Sequence, residues 1–295
     1  MGTSMALVGP GAIGSTVAAL LHASGYPVTV CGHTPRDQIE VRPDDKQPIV
    51  VPGPVLTDPE DVAGSVDLVF LAVKDTQNEH AAAWLGRLCD ENTIVCVLQN
   101  GVEQVARVGR FSPSAHVVPA VVWFSAETQA GGWVRLRTEP RVVLPDGDDA
   151  ETVAAVLRPA GMTVEVDPDF TTETWRKLLV NALAGFMVLA RRRSGIFRRA
   201  DIAALARRYV AECLAVARAE GAALPDTVID EMVGTFASGP EDLTTSMLTD
   251  AEAGRRLEWD IRNGVIVRKA AEHGLATPIS DVLVPLLAAA SDGPG

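Results

Sequence analysis

The sequence predicts an α/β protein: an N-terminal domain built on a doubly wound parallel sheet, followed by an all-helical C-terminal domain. Three observations carry that expectation. The first half alternates short β-branched runs with helical stretches, the rhythm of a parallel sheet covered by helices. A glycine-rich turn, Gly9-Pro10-Gly11-Ala12-Ile13-Gly14, joins the first of these runs to the first helical stretch. After Asp169 strand signals nearly vanish and helical periodicity takes over.

In chain order, residues 6–8 read as a strand, 12–23 as a helix and 28–31 as a second strand. A segment rich in Pro and Asp, 34–54, reads as a loop. Strands at 68–73 and 93–98 alternate with helices at 78–89 and 102–108. Residues 117–124, 133–137, 141–144 and 163–166 read as further strands without long helices between several of them, so the sheet is expected to end in a mixed or antiparallel part. Helices are expected at 172–190, 200–220, 226–237, 247–272 and 280–290. The boundary falls near Pro168, giving domains 1–168 and 169–295.

A chain of 295 residues suits about two domains. The formal charge of −12 argues against a nucleic-acid binder. The one basic cluster, Arg191-Arg192-Arg193 with Arg198-Arg199, reads as a solvated helix end; a phosphate contact or an ion-pair site are the other readings. No apolar run is long enough to span a membrane, and no basic segment precedes the first apolar run as in a secretory leader. Cys31, Cys89, Cys96 and Cys213 show no CxxC spacing and fit a reduced, cytoplasmic protein; no metal site is expected.

In a GxGxxG turn the first glycine permits a tight strand-to-helix turn, the second lets backbone approach a pyrophosphate, and the third lets helix and strand pack closely. The pyrophosphate then meets the free N–H groups of the helix N-terminus. Here the motif has strand before, helix after and a second strand beyond, so it reads as a Rossmann-type dinucleotide site using Gly9, Gly11, Ala12, Ile13 and Gly14. The end of the second strand reads Cys31-Gly32-His33-Thr34-Pro35-Arg36, with no carboxylate directly placed for a ribose 2′-hydroxyl. Arg36, helped by His33 or Thr34, could pair with a 2′-phosphate, which favours NADP over NAD; alternatively Arg36 is a solvated loop residue.

Two further segments, Val73-Lys74-Asp75-Thr76-Gln77 and Gln99-Asn100-Gly101-Val102, lie where a parallel strand meets its helix, the end at which such sheets bind ligands. In the helical half, Lys177 and Asn181 are four apart and share a helix face among Leu178, Leu179 and Val180. Alone, that pair reads as a snorkelling lysine beside an exposed asparagine. The stretch from Ser246 to Gly264 is heavy in carboxylates. It reads either as a solvated face with ion pairs such as Glu252–Arg256 or, given Leu257, Trp259 and Ile261, as a helix with some polar groups turned to a ligand.

Taken in order, these blocks resemble the ketopantoate reductase (2-dehydropantoate 2-reductase) family across nearly the whole chain. The carriers are Gly9–Gly14, Lys74 to Gln77, Gln99 to Val102, Trp175-Arg176-Lys177 through Asn181, and Ser246 to Asp250 with Glu258-Trp259-Asp260 and Asn263-Gly264. The resemblance implies an NADPH-dependent reductase of a small 2-oxo acid in pantothenate synthesis. Lys177 is then the general acid that protonates the nascent alkoxide, and Glu258 orients substrate and lysine. Asn100 helps place Lys177 and sits near the nicotinamide ribose, Asn181 and Ser246 bind the substrate, and Lys74 and Gln77 lie along the cofactor. A protonated lysine meets what ketone reduction demands, a proton for the oxygen as hydride reaches the carbon. A carboxylate nearby is expected to keep such a lysine charged. A homodimer is a further expectation, by analogy alone.

The chain departs from the family pattern in places. Gly185 stands where the family has a second asparagine four residues after the first, and His33 stands where it often has an arginine, which leaves the 2′-phosphate to Arg36. Gly185, with Phe186 and Met187 beside it, raises an alternative: the same chemistry on a bulkier ketone, in a tailoring or catabolic enzyme. A non-catalytic sensor of the NADP pool is a more distant alternative. The block from Ser246 to Asn263 argues against a 6-phosphogluconate or 3-hydroxyacid dehydrogenase relative.

Overall fold

A computed structural model of the chain describes residues 3–293. It divides into two compact units, Met1–Phe170 and Thr171–Gly295. In the first unit the elements run β1 (Met5–Val8), α1 (Ala12–Ala23), β2 (Thr29–Cys31), β3 (Gln38–Pro43), β4 (Ile49–Pro52), β5 (Leu68–Leu71), α2 (Asn78–Leu88), β6 (Ile94–Val97) and α3 (Gln104–Gly109). They continue as β7 (His116–Pro119), β8 (Val121–Val122), β9 (Ala126–Thr128), β10 (Val134–Leu136), β11 (Arg141–Pro145), α4 (Asp148–Leu157) and β12 (Thr163–Asp167).

Five strands form an all-parallel sheet in the order β2-β1-β5-β6-β7. Alternate residues of each strand enter opposite cores, as the two-residue period of a strand requires. Leu7, Phe70 and Cys96 pack on one side with Val17, Ala18 and Leu21 of α1. Ala6, Val69 and Val95 pack on the other with Ala81, Trp84, Leu85 and Leu88 of α2. Both faces are covered, so the strands are near-continuous apolar runs. This is the doubly wound, Rossmann-type sheet that the sequence predicts.

The segment expected to be a loop, 34–54, contains two strands instead. β3 and β4 pair antiparallel and join β10 and β9 in a four-stranded sheet, order β4-β3-β10-β9. Its buried residues Ile39, Val41, Val51, Val134 and Leu136 share the core of α1. The Pro and Asp residues sit at strand ends and in the connection, where they conceal the in–out alternation Ile39-Glu40-Val41. Residues 117–124 also differ from the single strand expected. β7 closes the parallel sheet, and β8 turns away to pair with β11 in a separate mixed sheet, order β12-β11-β8.

The second unit holds α5 (Phe170–Ala190), a 3₁₀ turn (Ser194–Arg198), α6 (Ala200–Ala219), α7 (Val228–Ser238), α8 (Ser246–Glu252), a π-helical turn (Asp260–Gly264), α9 (Val265–Glu272) and α10 (Ser280–Asp292). Its core includes Trp175, Leu179, Leu183, Met187, Tyr209 and Phe197. The single helix expected over 247–272 is broken. Gly254, in the left-handed region at φ 64°, ends α8, and Arg255 fastens the break to buried Asp250 at 2.9 Å. The helix resumes with the π turn, a wider coil that recurs at functional sites.

The basic cluster is solvated and ion-paired: Arg193 with Glu252 at 3.0 Å, Arg198 with Glu241, and Arg199 with Asp201 at 2.8 Å. Glu252 thus pairs with Arg193 rather than with Arg256 as expected. All four cysteines are free thiols, and burial pushes Cys31 and Cys96 up to about 12, so neither ionises readily. Among the described residues no helix is long and apolar enough to cross a membrane, and no group of three or more His, Cys, Asp or Glu is placed to hold a metal ion.

Candidate functional site

In the first unit the candidates gather at one edge of the parallel sheet. The register sets Val8 opposite Leu71 and Leu71 opposite Val97, so the loops after β1, β5 and β6 leave at the same level. Order reverses between β1 and β5, the switch point where such sheets bind ligands. Gly9 is left-handed at φ 97°, and a Cβ built on it would meet Val73 Cγ1 at 2.6 Å. A Cβ on Gly14 would meet the Gly9 carbonyl oxygen at 2.2 Å. A Cβ on Gly11 would meet nothing within 4 Å. The outer glycines are therefore required by the protein's own packing, whereas the middle one opens onto free space. That is the pattern of a cradle for an external group, and the first turn of α1, with Ala12 and Ile13, offers its free N–H groups there.

The neighbouring loops are tied to this cradle. Gln99 donates to the Val73 carbonyl at 2.9 Å and to Asn78 at 2.6 Å, joining the loop of β6 to that of β5. Gln77 accepts from the Lys74 N–H at 3.2 Å, closing the turn that carries Lys74. Arg107 braces the same turn by pairing with Asp75 at 3.1 Å. Lys74, Gln77 and Asn100 are all partly exposed. At the end of β2, Arg36 lies over the glycine turn and donates to the Pro10 carbonyl at 3.4 Å. His33, exposed, shares a hydrogen bond with Thr34 at 2.8 Å. Arg36, the cation expected to meet a 2′-phosphate, thus stands beside the glycine turn.

The second unit assembles the other set. Lys177 is half-buried on α5, one turn before Asn181. Burial, and then the nearby Arg262 charge, push its ammonium down to about 8, against a smaller upward pull from Glu173. Ser246 opens α8, exposed. Glu258 is 6% exposed and accepts from Arg262 Nη2 at 2.9 Å. The same Nη2 donates to Ser246 Oγ at 3.0 Å. Arg262 is the residue that sequence reasoning missed. The signal was a Glu–Arg pair four apart, which resembles a surface ion pair until burial is known.

Asn263 and Gly264 support this arrangement. Asn263 is fully buried and donates to the Ala182 carbonyl and the Tyr209 hydroxyl, each at 2.9 Å, anchoring the π turn to α5 and α6. A Cβ on Gly264 would press on Asp260 at 2.9 Å. Gly185 belongs to the same packing, where a Cβ would lie 3.0 Å from Leu287 and 3.1 Å from Asn263. Phe186 is stacked edge-on against Tyr209, and Met187 is fully buried. All three residues are thus part of this unit's own packing.

Comparison with known proteins agrees with both halves. A family model described as "Ketopantoate reductase PanE/ApbA" matches residues 5–149, and its C-terminal counterpart matches residues 169–291. A 2-dehydropantoate 2-reductase of Mycobacterium tuberculosis is 68% identical over 295 residues, covering 100% of both chains. One from Caulobacter vibrioides is 38% identical, covering 98% of this chain and 99% of its own. Among solved structures, a dimeric ketopantoate reductase from Staphylococcus aureus superposes with a TM-score of 0.88 at 28% identity, covering 99% of this chain and 100% of its own.

Proposed function

The chain belongs to the ketopantoate reductase family, and from that premise we propose that it is an NADPH-dependent reductase converting a 2-oxo acid of the ketopantoate type to its 2-hydroxy acid, in pantothenate biosynthesis. The observation that carries this reading is Lys177: a half-buried ammonium, pushed down to about 8, in the same unit as the Ser246–Arg262–Glu258 cluster. An ammonium near 8 is still mostly protonated at neutral pH yet gives up its proton readily, as a general acid should.

The glycine cradle fits a dinucleotide. Gly9, Gly11, Ala12, Ile13 and Gly14 would hold the pyrophosphate, Arg36 with His33 and Thr34 the 2′-phosphate, and Lys74, Gln77 and Asn100 the remainder. When bound, the reduced nicotinamide supplies hydride to the ketone carbon. Lys177 protonates the ketone oxygen and, before transfer, stabilises the negative charge growing there. Ser246 and Asn181 orient the substrate through its carboxylate and hydroxyl, and Glu258 fixes the frame around them. Assembly as a homodimer is part of this reading, supported by the dimeric Staphylococcus aureus relative.

The test is NADPH oxidation with ketopantoate and a panel of 2-oxo acids. The expected result is turnover of ketopantoate at about 1–10³ per second, lowered about 10²- to 10⁴-fold in Lys177→Ala. Full activity in Lys177→Ala, or faster turnover of a bulky ketone, overturns the assignment.

A further inference from the structure

We propose that Arg262 is a positioning and specificity residue for anionic substrates: its guanidinium sets Ser246 as a hydrogen-bond donor toward the substrate carboxylate and balances the charge of Glu258 beside it. The inference rests on the reductase reading above and adds to it a residue with no role there.

The geometry is specific. Arg262 is 2% exposed, and one nitrogen, Nη2, reaches Ser246 Oγ at 3.0 Å and Glu258 at 2.9 Å. A hydroxyl has two acceptor sites and one hydrogen to donate. Arginine has only donors, so its N–H fills an acceptor site on Ser246 and leaves that hydroxyl's hydrogen for another partner. Ser246 is exposed, so that partner can be a ligand, and a carboxylate accepts such a hydrogen bond.

The charges point the same way. Glu258 is a buried carboxylate, and Arg262 meets it with the opposite charge at 2.9 Å. With Arg262 the pair is neutral, so the buried carboxylate adds no net repulsion toward an anionic substrate. The groups facing Lys177 also include Glu173 one turn earlier on α5, whose pull is weaker than the combined effect of burial and Arg262. The anchor of the arginine is the next residue, since Asn263 pins the π turn to α5 and α6.

The experiment compares wild type, Arg262→Met and Arg262→Lys by steady-state kinetics across pH, with melting curves to establish folding. Arg262→Met is expected to raise KM for the 2-oxo acid by about 10- to 100-fold. It should also move the alkaline limb of kcat upward from about 8, because a neighbouring cation is gone. Arg262→Lys keeps the charge but not the planar fork, so the limb stays near its wild-type position while KM remains raised. Ser246→Ala and Arg262→Met together should raise KM by less than the product of the single effects, since both act through one contact.

Wild-type KM and an unmoved limb in Arg262→Met, or multiplicative effects in the double variant, overturn the proposal. Should Arg262→Met not fold, Arg262→Lys decides: a raised KM supports the assignment and an unchanged KM overturns it. A wild-type chain that reduces no 2-oxo acid defeats the reductase reading and this inference together. An active wild type with indifferent Arg262 variants defeats this inference alone.

Discussion

At the scale of the residue, the proposed role of Lys177 as general acid ties activity to the same protonation that bears on stability. Its folded value near 8 lies below the ordinary 10.5, so folding disfavours the protonated form. The cost is fully present at pH below 8. It is relieved as pH rises from 8 to 10.5, where the unfolded chain holds the proton more tightly than the folded one. Proton donation runs the opposite way, because only the ammonium can donate. We expect kcat for reduction to fall as pH rises through about 8, and the reverse oxidation, which needs the neutral amine, to gain over the same range. Paired pH profiles check this; a reduction limb unchanged in position from pH 7 to 10 contradicts it. The common face of Lys177 and Asn181 was legible in the sequence because one helical turn fixes it, but their proposed role came only with the family resemblance, since alone the pair reads as a surface lysine beside an exposed asparagine. Arg262 was not, because only burial separates its pair with Glu258 from an ordinary surface ion pair, and burial is a property of the packing.

At the scale of the element, the π turn Asp260–Gly264 depends on one side chain. Asn263 donates to Ala182 and Tyr209 from a fully buried position. Asn263→Leu removes both bonds, takes one partner each from the Ala182 carbonyl and the Tyr209 hydroxyl, and introduces a different shape beside Gly185. We expect a loss of about 2–4 kcal/mol in stability, measured by urea denaturation. The folded fraction should also show a raised KM, because the turn that carries Arg262 is no longer pinned. Wild-type stability in this variant removes Asn263 from the account. The elements themselves were unevenly legible. Helix α1 and the strands β1, β5 and β6 follow from apolar runs bounded by glycine turns. The strands β3 and β4 were hidden by Pro43, Asp44, Asp45 and Pro48 in and around their connection. Helix α4 was missed although Ala150, Val153, Ala154 and Leu157 carry the helical period and its first turn is acidic, because it is only 10 residues long. The break at Gly254 was missed because a helical pattern on both sides concealed a left-handed residue.

At the scale of the whole molecule, the order of the two units was legible because hydrophobic periodicity changes where strands give way to helices. The net charge poses a different question: a chain of −12 must bind a polyanionic dinucleotide. Range decides it. The net charge is a sum over the whole chain, whereas Arg36 rests on the glycine turn itself, 3.4 Å from the Pro10 carbonyl. The screening length is about 30 Å at 0.01 M salt, about 10 Å at 0.1 M and about 3 Å at 1 M. Between the first two, distant repulsion is screened while contact-range attraction survives; between the last two, the contacts weaken as well. The dissociation constant for NADPH should therefore fall or stay level from 0.01 to 0.1 M salt and then rise toward 1 M. Arg36→Ala should flatten that rise and weaken NADPH binding more than NADH binding, since the lost partner is the 2′-phosphate. Fluorescence titration of bound nicotinamide across salt measures both. A monotonic weakening from the lowest salt would show that the local cations outweigh the field of the whole chain at every range, and an Arg36→Ala variant with wild-type preference would move the 2′-phosphate contact to another residue.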